Sequence, residues 1–148
     1  VEVTGGEPLA QPRSKALMKL LADEGYDVLL ETSGSITLEG IDPRVKIIMD
    51  IKTPTSGESS KNLWSNIPLL KSGVDEVKFV IESKEDFDYS KDVVKQYNLF
   101  DRCTVLASPS FGKVENVTLA NWILASGLPF RMQLQMHKYI WHPEKQGV

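Results

Sequence analysis

The sequence predicts an α/β fold with a parallel sheet, and three observations predict it. Short apolar runs alternate with stretches at helical spacing, the pattern of repeated βα units. The apolar runs are nearly continuous rather than cleanly alternating, as in strands covered on both faces. Run after run is followed by a polar or glycine-bearing set, where a parallel βα fold places its ligand site.

The elements follow in order. Val1 to Thr4 closes a strand. Pro12 then suits a first helical position, and Arg13 to Glu24 predicts a helix with Leu17, Leu20 and Leu21 as its apolar stripe. Gly25 is its stop. Asp27 to Leu30, Val45 to Ile51, Val74 to Ile81 and Cys103 to Ala107 read as strands. Phe87 to Tyr97 and Val117 to Ala125 read as helices, the second ended by Gly127. Arg131 to Met136 alternates and reads as a last strand. Thr53 to Lys61 is expected as a mobile polar loop, and the acidic stretch Glu82 to Asp92 as a solvated helix start.

A length of 148 residues suits one domain over residues 1–148, with no linker, repeat or low-complexity tract. A net charge of −3 gives no electrostatic reason to expect nucleic-acid binding. No apolar run spans a bilayer and no signal-peptide pattern opens the chain, so a cytoplasmic protein without membrane contact is expected. Cys103 is the only cysteine, and one thiol cannot hold a zinc or iron–sulfur site. It reads as a small buried hydrophobe in a strand. The chain opens without Met on the tail of a strand, which leads to the expectation of a missing upstream segment.

The sets after the strands are the candidate site. Thr4-Gly5-Gly6-Glu7-Pro8 allows positive φ and close backbone approach, so main-chain carbonyls can meet a ligand ammonium; the two glycines alone would suit a tight turn before a helix, and the appended Glu7-Pro8 favours the ligand reading. Glu31-Thr32-Ser33-Gly34 offers hydroxyls and a carboxylate, or is an ordinary turn. Asp50 interrupts an apolar run and needs a partner, for which Lys52 is the same-face neighbour; a structural ion pair and a ligand contact both fit. Ser108 to Gly112 fits a ligand-edge loop or a β-turn, and His137 a substrate contact or a structural histidine. Common nucleotide, hydrolase and zinc-protease signatures are absent. Together the sets predict a polar small-molecule site at the mouth of a barrel-like sheet.

Taken in order, these sets resemble the radical S-adenosylmethionine (SAM) superfamily, whose "GGEP" motif matches Gly5-Gly6-Glu7-Pro8. Leu30 to Gly34, Met49 to Pro54, Glu76 to Ile81, Ser108 to Lys113 and Leu134 to Trp141 are similar, in the same order, to the 7-carboxy-7-deazaguanine synthases of queuosine biosynthesis. Gln146-Gly147-Val148 resembles that family's C-terminus. The resemblance implies a partial (β/α) barrel of the radical SAM type, lacking the first strand and the cluster loop. It implies ring contraction of 6-carboxy-5,6,7,8-tetrahydropterin to 7-carboxy-7-deazaguanine with loss of ammonia, a carbon–nitrogen lyase reaction. The cofactors implied are S-adenosyl-L-methionine, a 4Fe-4S cluster and magnesium (Mg2+), and the partners a pterin substrate and a second copy in a homodimer.

Carried onto this chain, the resemblance places Gly5, Gly6 and Glu7 at the SAM methionine end and Thr32 and Ser33 near SAM or substrate. Asp50 and Lys52 would meet SAM polar groups and Ser108 the adenosine side. Gly5, Thr32 and His137, with the C-terminal tail, would face the pterin. The cluster cysteines and the magnesium-binding threonine have no counterpart here, so neither cluster nor turnover is expected of this chain alone. Another radical SAM enzyme, such as a glycyl-radical activating enzyme, and a non-catalytic SAM- or partner-binding remnant remain open alternatives.

Overall fold

In this computed structural model, which describes residues 1–142 and 145, six strands form one sheet in the order β1-β2-β3-β4-β5-β6. They are β1 (Glu2–Val3), β2 (Leu29–Thr32), β3 (Lys46–Asp50), β4 (Glu76–Ile81), β5 (Thr104–Pro109) and β6 (Arg131–Met132). Every neighbouring pair is parallel. Spatial order equals chain order, and right-handed crossovers then carry all connections to one face. The other face is left open, giving the arc of a barrel rather than a doubly wound sheet. No helix among the described residues is long and apolar enough to cross a membrane.

Helices α1 (Ser14–Asp23), α2 (Lys84–Gln96) and α3 (Asn116–Ser126) lie in three of the crossovers, and α4 (His137–Ile140) follows β6. Ser83 caps α2 through a bond from the Asp86 N–H at 3.2 Å, with Glu85 and Asp86 in the first turn. The covered face carries Leu30, Ile47, Met49, Val77, Phe79 and Ile81, all buried against the crossovers. Phe87, Phe130 and Phe100 continue this core beneath α2 in tilted and edge-on contacts.

Four sequence expectations change. Leu17 and Leu20 are exposed, and the buried stripe of α1 is Ser14, Met18 and Ala22. Large apolar residues mark a helical face, but the face of α1 that is buried carries the small Ser14 and Ala22 with Met18 between them. The last strand ends at Met132, although the Gln133 N–H still reaches the Ala107 carbonyl at 3.0 Å. The polar loop forms 3-10 turns at Pro54–Ser56 and Ser59–Lys61. The acidic stretch is not wholly solvated, because Asp86 is fully buried and accepts the N–H groups of Thr55 and Glu82, each at 3.0 Å.

Candidate functional site

Alternation along the strands decides which side chains enter the open face. Glu76, Lys78 and Val80 of β4 point one way, and Val77, Phe79 and Ile81 pack the other. The same parity puts Glu31 of β2, Ile48 of β3 and Ser108 of β5 beside Lys78 and Val80. They line a cavity of about 370 Å³ together with Gln133, Gln135 and His137. At the amino-terminal end of the sheet, Glu76 accepts from Lys46 at 3.0 Å and from Arg131 at 3.1 and 3.2 Å. These ion pairs join β3, β4 and β6 beneath the cavity.

Nearer the carboxyl ends the cavity wall is a polar chain. Lys78 pairs with Glu31, and Thr4 donates to the same carboxylate at 3.2 Å. Asp50 and Lys52 pair at 2.6 Å, and Lys52 exchanges backbone bonds of 2.9 Å with the Asn62 amide. Among the described residues, neither the buried Asp50 Oδ1 nor the buried Gln135 Oε1 has a hydrogen-bond partner. Such orphaned acceptors in a cavity wall await a donor. Asp50, Lys52, Thr53 and Glu82 line a smaller adjoining recess of about 160 Å³. A groove of about 500 Å³ lies outside, between β1 and α1, but Val3, Pro8, Ala16, Leu17 and Leu20 make it apolar. Its lining offers little chemistry beside the polar cavity.

At the mouth, Gly5 and Gly6 both hold positive φ (93° and 58°), and a Cβ at either would meet nothing within 4 Å. Outside the strand ladder, neither carbonyl accepts a hydrogen bond among the described residues. These two carbonyls fit a ligand ammonium. The next residue is fully engaged. Glu7 accepts from Thr32 Oγ1 at 2.8 and 2.9 Å, Ser33 N at 2.7 Å, Ser33 Oγ at 2.5 Å and Leu9 N at 3.0 Å. Burial pushes its carboxyl up, but the bonds from Ser33, Leu9 and Thr32 outweigh it and leave the pKa lowered.

The structure therefore gathers Gly5, Gly6, Glu7, Thr32 and Ser33 at one end of the mouth. It sets Asp50 and Lys52 in the adjoining recess, and Ser108 and His137 in the cavity. Thr32 sits on the helix-covered parity of β2, only 2% exposed, with its hydroxyl on Glu7. Its neighbour Glu31 faces the cavity instead. Lys78 and Gln135 are cavity residues that the sequence reading did not single out. Polar residues at every second position of β4, in Glu76-Val77-Lys78, were the signal for Lys78. The tail residues 146–148 lie outside the described residues.

The open carbonyls of the glycine mouth suit the ammonium of the implied SAM, but the described residues offer no ligand set for the implied cluster. Among the described residues no three His, Cys, Asp or Glu side chains gather as a metal site. The free thiol of Cys103 is buried at the far end of the sheet, where burial pushes its pKa up to about 11.

Comparison with known proteins follows the same line. The 7-carboxy-7-deazaguanine synthase of Chlorobaculum tepidum is 42% identical over 150 residues, covering 100% of this chain and 68% of the relative. That of Koribacter versatilis is 39% identical over 162 residues, covering 100% of this chain and 71% of the relative. No family model matches the chain. The crystal structure of Streptococcus suis SuiB superposes with a TM-score of 0.55 at 10% identity, over 91% of this chain and 39% of that one, a likeness of fold alone. With identity at this level running the whole length of the chain, it belongs to the 7-carboxy-7-deazaguanine synthase family.

Proposed function

We propose that this chain supplies the SAM-holding mouth and the pterin-facing cavity of a 7-carboxy-7-deazaguanine synthase of the radical SAM kind. The observation that carries the reading is the pair of unused glycine carbonyls opening beside a polar cavity at the carboxyl ends of parallel strands. SAM, when bound with a reduced cluster, supplies the radical chemistry that the side chains here cannot. The chain's own residues bind and orient.

Gly5 and Gly6 offer their carbonyls to the methionine ammonium. Asp50 Oδ1, unpartnered at the recess, accepts from the nucleoside end, and Lys52 holds the carboxylate in place. In the cavity, Gln135 and Glu31 present acceptors to the donor-rich pterin ring, and Lys78 holds the Glu31 carboxylate in position. Ser108 and His137 close the sides. Positioning of this kind converts binding into rate by fixing the reacting atoms in one geometry. A homodimer belongs to the same proposal, supported by the exposed Val117 and Leu124 on α3, Ile140 on α4 and Trp141 just after it.

The test is anaerobic reconstitution, with iron and sulfide, of the protein as its cell makes it, then assay with SAM, reductant and 6-carboxytetrahydropterin. Formation of 7-carboxy-7-deazaguanine is expected. Cleavage of SAM with the pterin untouched would sink the substrate assignment and keep the SAM site.

A further inference from the structure

We infer that Glu7 is a positioning residue: its carboxylate ties the Gly5-Gly6 turn after β1 to the end of β2 at Thr32 and Ser33 and does not itself touch the ligand. The inference rests on the reading that this mouth binds SAM. An ionised carboxylate offers about four lone-pair sites. Four donor groups already fill them, namely Leu9 N, Thr32 Oγ1, Ser33 N and Ser33 Oγ. No acceptor capacity is left for a ligand ammonium, whereas the carbonyls of Gly5 and Gly6 remain open.

The need for such a tie follows from the glycines. Two consecutive residues at φ 93° and 58°, with nothing near their missing Cβ atoms, have no side-chain packing to fix them. The next residue must hold the turn. Glu7 holds it from one side through Leu9 N and from the other through β2, 26 residues on, at Ser33. Thr32 is buried, so this end of the tie is rigid. Ser33 Oγ continues it to Ser35 Oγ at 2.8 Å.

The experiment pairs calorimetric SAM titration with amide NMR of the ¹⁵N-labelled chain, using Glu7→Gln, Thr32→Val, Ser33→Ala and the Glu7→Gln/Thr32→Val double variant. Loss of a charge-assisted bond to either partner should weaken SAM about tenfold. The double variant should be no weaker than the worse single one, because both cut the same tie. The Gly5 and Gly6 amide resonances should shift with acid titration in the parent chain and stay still in Glu7→Gln. Should Thr32→Val not fold, Ser33→Ala, which keeps the backbone donor, carries the comparison. Parent affinity in Thr32→Val and Ser33→Ala beside a large loss in Glu7→Gln would overturn the inference in favour of direct contact. So would losses that multiply in the double variant. If the parent chain binds no SAM, the reading of the mouth fails, and the response of the Gly5 and Gly6 resonances alone decides the tie.

Discussion

Lys78 on β4 donates to the carboxylate of Glu31 on β2, bridging over β3, which lies between them in the sheet. The pair closes the polar wall of the cavity, and neither member has a close sequence neighbour in the other's strand.

Replacing Lys78 by Met leaves Glu31 in the wall with the Thr4 hydroxyl as its one side-chain partner among the described residues. The side chains of the pair are 18% and 29% exposed, so the loss lies between that of a surface pair and a buried one. Urea denaturation at neutral pH should show a destabilisation of about 1–2 kcal/mol. Adding Glu31→Gln should recover most of it, since no unpaired charge then remains. Additive losses would show that the two residues do not act as a pair.

Gly34 cannot be replaced without strain. It sits at φ 69°, and a Cβ there would lie 2.9 Å from Met49 Cγ. Gly34→Ala should cost about 1–3 kcal/mol in the parent, and less but not zero when added to Met49→Ala, because relief of the clash leaves the backbone strain. Thermal unfolding of the single and double variants checks this.

Asn66 is fully buried and joins three points of the β2–β3 connection. It accepts the Leu38 N–H at 3.0 Å and donates to the Gly34 and Ile36 carbonyls at 3.1 and 2.9 Å. Asn66→Ala strands those groups and should cost about 2–4 kcal/mol. Hydrogen exchange at Leu38 should quicken beyond what global unfolding predicts.

Acid should release the Glu7 tie. Its folded pKa is lowered from 4.5, so the unfolded state takes up the proton first as pH falls. The contribution is fully present above pH 4.5 and disappears as pH drops through the lower folded value. The stability gap between the parent and Glu7→Gln should therefore be largest at neutral pH and shrink in acid. A gap independent of pH would show that the carboxylate charge plays no part.

Cys103 should resist iodoacetamide in the folded chain at pH 8. It is 7% exposed and its thiol is pushed up to about 11, so little thiolate is present or reachable. Modification should follow unfolding, with full labelling in denaturant.

The sequence by itself determined the βα order, the parallel sheet and the identity of the sets at the strand ends. These are local properties: continuous apolar runs, turn residues and the period of each segment. The Asp50–Lys52 pair was legible for the same reason, since two positions apart in an extended segment is one face. The packing face of α1 was not, because Leu17 and Leu20 satisfy helical spacing as well as Met18 and Ala22 do. Nor was the role of Glu7, whose partners Thr32 and Ser33 come beside it only when β1 and β2 pair. Lys78 reaching Glu31 needed two further strand pairings in register. Spacing along the chain fixes which side a residue faces, but only the assembled sheet decides which distant residue waits there.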